Sequence, residues 1–70
     1  MAVIFSERLK ELRIERGLSL AELSEAATIN IASLSRWENG INGPKINELV
    51  KLAQFFGVSI DYLAGIKHDY

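Results

Sequence analysis

Few side chains in this sequence are equipped for chemistry, and their types suit recognition better than reaction. There is one histidine, His68, and no cysteine. No carboxylates are grouped around a base or nucleophile, so no acid-base pair and no activated nucleophile can be assembled. An enzyme is therefore not expected. A thiolate metal site and a disulfide framework are both ruled out, and neither metal nor cofactor is expected. What remains is a short run of hydrogen-bonding groups, Ser33, Ser35, Arg36 and Asn39, next to the apolar Ile31 and Ala32. At 100° per residue, Ala32, Ser35, Arg36 and Asn39 fall on one side of a helix with Ile31 on the flank, while Leu34 and Trp37, three apart, point the other way. Arg36 is the strongest polar group on that side, with Ser33 and Ser35 as lesser ones. A second feature lies upstream, where the exposed N–H groups of a helix starting at Ser19 attract anions whatever side chain Leu20 carries.

Two short elements must hold these groups. Ser19-Leu20-Ala21-Glu22 has the form of a capping box, the serine hydroxyl accepting one orphan N–H and Glu22 returning the bond. Leu20, Leu23, Ala26 and Ala27 follow at helical spacing, with Leu23, Ala26 and Ala27 forming the buried stripe and Leu20 at the helix mouth. Thr28, Ile29 and Asn30 interrupt the run. Asn30 then caps a helix over Ile31 to Glu38, which Asn39 and Gly40 end by accepting a left-handed conformation. Segments this short and this close must pack at a steep angle, as a helix-turn-helix.

The rest of the chain supplies a platform. Seventy residues support one small domain, expected over residues 1–65, with residues 66–70 as a tail or the start of a linker. A first helix is expected from Phe5 to Arg16, with Phe5, Leu9 and Leu12 inward and Arg8 and Lys10 on a solvated face. Gly17 stops it, and Leu18 plugs the core. Ile41 to Pro44 reads as a loop. A helix over Ile46 to Phe56 carries Ile46, Leu49, Leu52, Ala53 and Phe56 inward, and Ser59 caps a last one over Ile60 to Ala64 whose core contact is Leu63. Phe55 falls off the inward face of its helix, with Tyr62 and Ile66 near it. These three form either a two-fold contact between copies or a cover for the end of the core. No leader-like segment and no membrane-length apolar run is visible, so a cytoplasmic location with no membrane partner is expected.

Eight Lys or Arg stand against nine Asp or Glu, a net charge of −1. That is no basic surplus of the kind that advertises a nucleic-acid binder. The charges are unevenly spread, with Arg8, Lys10, Arg13 and Arg16 early and Glu48, Asp61 and Asp69 late, which leaves room for a one-sided surface.

Four stretches in register, RLKELRIERGLS, the Leu23 to Ile29 bend, LSRWENG and LVKLAQFFGVSIDYLAG, resemble the Cro/C1-type helix-turn-helix domains of phage repressors and small bacterial regulators. The resemblance runs from Phe5 to Gly65. It implies an all-α, five-helix, lambda-repressor-like domain whose third helix enters the major groove of double-stranded DNA, with the second across the backbone. It further implies a transcriptional regulator, commonly a repressor, acting as a dimer on a two-fold operator. Arg13 and Glu38 match a pair that ties helix 1 to the end of helix 3 in relatives, and Asn39 matches a phosphate-touching position. Ser19 and Lys45 are further phosphate candidates.

The departures from that pattern sharpen the question. Leu20 replaces a glutamine, Ile31 a polar or basic residue, Ile41 a frequent lysine, and Thr28 the usual turn glycine. A β-branched residue is strained in the left-handed region, so the turn is expected to follow a different backbone path. Isoleucine and alanine can offer only apolar contact to a thymine methyl, where bidentate polar side chains would supply much of the discrimination. Two functions therefore remain: a regulator that still reads bases, binding as a weak homodimer stabilised on DNA, or a protein-interaction module of the same fold, such as a phage or toxin-antitoxin partner subunit.

Overall fold

The computed structural model describes residues 3–65, and within them five helices follow one another: α1 Val3–Glu15, α2 Leu20–Ala27, α3 Ile31–Glu38, α4 Ile46–Phe56 and α5 Ile60–Ala64. The last three have the bounds their caps and periodicity predict, while α1 starts and stops slightly earlier than expected. α1 packs on α3 and α5, α2 on α3 and α4, and α4 on α5. Each helix gives one fully buried leucine to a common centre: Leu9, Leu23, Leu34, Leu52 and Leu63. Phe5 and Trp37 close over it edge to face, their ring centroids 6.3 Å apart, an arrangement aromatic quadrupoles favour. Leu18, Leu49 and Phe55 pack against the same cluster while half-buried.

Local chemistry sets the helix starts. The Ser19 hydroxyl accepts from the Glu22 N–H at 3.0 Å and the Glu22 carboxylate accepts from the Ser19 N–H at 2.8 Å, closing the capping box. Asn30 accepts from the Ala32 N–H at 2.8 Å, and Ser59 from the Tyr62 N–H at 3.0 Å. At the start of α4 the Lys45 N–H donates to Glu48 at 3.0 Å.

Four expectations are corrected. Asn39 ends α3 at φ −91°, which leaves the left-handed position there to Gly40 alone, at φ 71°. Thr28 does adopt the left-handed conformation, at φ 58° and ψ 52°. Burial of the next residue, Ile29, demands that path. The Thr28 and Ile29 N–H groups both donate to the Ser24 carbonyl, the Ser24 hydroxyl donates to the Ile29 carbonyl, and Lys51 Nζ donates to the Thr28 carbonyl at 3.0 Å. Ile46 is 68% exposed, because burial along α4 deepens from Leu49 to Leu52, Ala53 and Phe56 and the first turn projects beyond the core. Ala26 is also exposed: α2 presents only the narrow Leu23 and Ala27 stripe, four residues apart, to its neighbours.

Candidate nucleic-acid interface

α3 is fixed from behind and open in front. Leu34 and Trp37 are buried. Glu38, at its last residue, takes a fork of two bonds from Arg13 on α1, Nε to Oε2 at 2.6 Å and Nη2 to Oε1 at 3.0 Å. The hydrogen bond to Glu38 raises the Arg13 pKa further above its ordinary value, outweighing the opposing effect of burial, with the carboxylate's charge adding to it. The remaining Arg13 nitrogen donates to the Leu18 carbonyl at 2.8 Å. One guanidinium thus holds α1, the entry to α2 and the end of α3 together.

On the front, Ile31 is 45% exposed, and Ala32, Arg36 and Asn39 are exposed with it. Ser33 and Ser35 are half-buried, so they offer less of themselves to a partner than the wheel suggests. Asn39 Nδ2 is engaged with the Ser35 carbonyl at 2.8 Å. Ser19 is exposed at the start of α2, while Leu20 is half-buried and packs on the core. Lys45 is exposed at the start of α4, beyond the loop. Of the residues predicted there, Ile31, Ala32, Ser35, Arg36 and Asn39 lie on the outward side of α3 while Ser33 turns toward the buried Trp37. Ser19 and Leu20 begin the helix packed on α3, and Lys45 stands on a separate element.

The cations divide into two groups that sequence alone does not separate. Arg8 Nη1 donates to the Tyr62 carbonyl at 2.6 Å and stacks 4.2 Å from the Tyr62 ring centre, correcting its placement on a solvated face. Arg16 Nη2 donates to the Phe56 carbonyl at 2.6 Å, and its guanidinium lies 5.4 Å from that ring. With Lys51 on the Thr28 carbonyl, the C-terminal ends of α2, α4 and α5 each receive a cation from a distant part of the chain, where the helix dipole favours one. Lys10, Arg36 and Lys45 hold no such side-chain bond among the described residues. Of these three, Arg36 alone stands on α3. The internal bonds span 54, 40 and 23 residues, so no local sequence signal could have revealed them.

Of the apolar residues expected to join two copies, Phe55 is half-buried and meets Phe56 edge-on at 5.1 Å. Tyr62 is 44% exposed under the Arg8 guanidinium. Ile66 and His68 lie outside the described residues. Among those residues no group of three or more His, Cys, Asp or Glu could hold a metal ion, and no helix is long and apolar enough to cross a membrane.

Five helices of this order, with α2 and α3 joined by a tight left-handed turn and α3 bolted down behind an open face, define a helix-turn-helix domain. A helix-turn-helix family model matches residues 9–63, and the chain belongs to the Cro/C1-type helix-turn-helix family. It is 42% identical over 62 residues to the transcriptional regulator DdrOP3 of Deinococcus deserti, covering 87% of this chain and 48% of that protein. It is 33% identical over 57 residues to the cryptic phage CTXphi transcriptional repressor RstR of Vibrio cholerae, covering 81% of this chain and 51% of the repressor. The crystal structure of a transcriptional regulator from Listeria innocua superposes with a TM-score of 0.84 at 30% identity, covering 94% of this chain and 62% of the other. The chain thus spans about half the length of these two curated relatives.

Proposed function

We propose that the chain is the DNA-binding domain of a transcriptional regulator, a repressor in the manner of RstR, that inserts α3 into the major groove of double-stranded DNA. The observation that carries this reading is the asymmetry of α3: one face is buried through Leu34 and Trp37 and clamped by Arg13 to Glu38, and the other presents Ile31, Ala32, Arg36 and Asn39 to solvent. A helix held this rigidly can place side chains against base edges without losing further conformational freedom. Ser19, with the α2 N-terminus beside Leu20, and Lys45 anchor phosphates, while Ser33 and Ser35 take secondary roles. The domain occupies residues 1–65, works in the cytoplasm and has no catalytic role.

Two copies on a two-fold operator complete the reading. The half-buried Phe55 and the exposed Tyr62 supply apolar surface for such a contact, and two weakly binding protomers gain affinity by occupying adjacent half-sites together. Titration of fluorescent random-sequence duplex at low and moderate salt tests the core claim. Salt-weakened binding is expected, and absence of binding at both salts would overturn it in favour of a protein-interaction role. Sedimentation of the protein on a selected operator tests the second claim, with two copies expected and cooperativity reduced by Phe55→Lys.

A further inference from the structure

We propose that the leading end of α3 reads DNA by apolar contact with thymine 5-methyl groups through Ile31 and Ala32, with Arg36 as the single polar anchor further along the helix. The inference rests on the reading that α3 enters the major groove.

Three observations select this chemistry over polar or phosphate contact. First, the Asn30 side-chain oxygen already takes the Ala32 N–H at 2.8 Å, so the leading end of α3 offers one backbone donor fewer to a polar partner. Second, the side chains that lead from that end are hydrocarbon. Ile31 is 45% exposed and Ala32 is exposed beside it, while Ser33 and Ser35 are half-buried. Third, cations that could have compensated are held elsewhere, Arg8, Arg13, Arg16 and Lys51 being bound to helix ends or to Glu38.

The major groove offers such an end one kind of counterpart. Base edges there present hydrogen-bond donors and acceptors, and the 5-methyl of thymine is the apolar group among them. An isoleucine pressed against N7, O6 or N4 groups would strip them of water and return no hydrogen bond, whereas against a methyl it removes apolar surface from water on both sides. Ile31 and Ala32 project about 100° apart from the same end of the helix, so each would meet its own methyl rather than share one. The expected operator therefore carries thymine at one or two fixed positions in each half-site.

Replacement of single thymines by deoxyuridine tests this directly, since it deletes the methyl and keeps the pairing and the O4 acceptor. The probe is the duplex selected by the chain from a random pool, and the readout is fluorescence anisotropy with the unmodified chain. At one or two positions per half-site the substitution is expected to weaken binding about fourfold, equivalent to roughly 0.8 kcal/mol for one buried methyl-sized group. In Ile31→Ala the penalty at one of those positions should fall below about twofold while helical content stays at the parent level. Uniform indifference to deoxyuridine, with the duplex still bound, overturns the methyl reading and leaves DNA binding standing. An undiminished penalty in folded Ile31→Ala and in Ala32→Gly overturns the assignment to these residues. Failure to bind any duplex removes both this inference and the function beneath it.

Discussion

The Arg13 guanidinium reaches Glu38 across 25 residues of sequence with two bonds of 2.6 and 3.0 Å, and it is the joint that fixes α3 to α1. The side chains are only 14% and 7% exposed, so their charges are poorly screened and each depends on the other. Arg13→Met is expected to destabilise the domain by about 3 kcal/mol, because Glu38 is left charged and without its cation. Adding Glu38→Leu should restore most of that loss. Urea unfolding of the two variants measures both. Since the Arg13 pKa is raised, the stability its charge contributes is fully present below the ordinary arginine range. It is lost only as strong alkali passes the folded value, so the Arg13→Met deficit should not vary between neutral and mildly alkaline pH.

Thr28 carries the strain of the turn. At φ 58° it occupies a region that disfavours β-branched side chains, and its neighbours hold it there through backbone bonds that a glycine would keep. Thr28→Gly is expected to stabilise the domain by about 1 kcal/mol, the relief of steric strain exceeding the added freedom of the unfolded chain. Thermal unfolding should show a rise of roughly 4 to 8 °C. A fall would mean that the threonine side chain contributes more than its strain removes.

Trp37 is the aromatic lid of the core, 4% exposed and edge-on to Phe5. Trp37→Ala should cost about 3 to 5 kcal/mol, a large part of the stability available to a domain of this size. Loss of the cooperative thermal transition checks it. A melt within a few degrees of the parent would remove Trp37 from the core account.

Gly65 closes α5 at φ 76°, and a Cβ there would lie 2.2 Å from Ile4 Cγ2 and 2.8 Å from Ile4 Cβ. Gly65→Ala therefore combines left-handed strain with a clash against α1, and a loss of about 2 kcal/mol is expected. Gly17→Ala is the control, since it has a similar φ of 68° and nothing within 4 Å. It should lose only the conformational part, about 1 kcal/mol.

Arg36 separates the two modes of DNA contact. If it reads a guanine, Arg36→Ala should weaken a selected operator by about 1 to 3 kcal/mol and random duplex much less. With Lys45 as the free cation left for phosphate when Arg36 reads a base, log affinity should fall with log salt at a slope of about −1 per protomer, and at about −2 when Arg36 binds phosphate instead. A steeper slope would mean that Lys10 also reaches phosphate, or that Arg8, Arg16 or Lys51 leaves its carbonyl for it.

What the sequence determined by itself was local or periodic. Ser19 with Glu22, Asn30 and Ser59 start helices because each side chain meets N–H groups two or three residues on, a distance the chain fixes without help from the rest of the fold. Leu9, Leu23, Leu34, Leu52 and Leu63 were legible as core from helical spacing, and Arg13 with Glu38 from resemblance. The outward set on α3 was likewise readable from 100° per residue, although the half-burial of Ser33 and Ser35 was not. Tertiary structure alone decided the rest. Thr28 is left-handed because Ile29 must reach the core, and Ile46 is exposed because the core ends before the first turn of α4 does. Arg8, Arg16 and Lys51 have their side-chain donors engaged because three helix ends from distant parts of the chain come within reach of them. That last effect is invisible to a count of charges, since a side chain's availability depends on which carbonyls the fold carries to it.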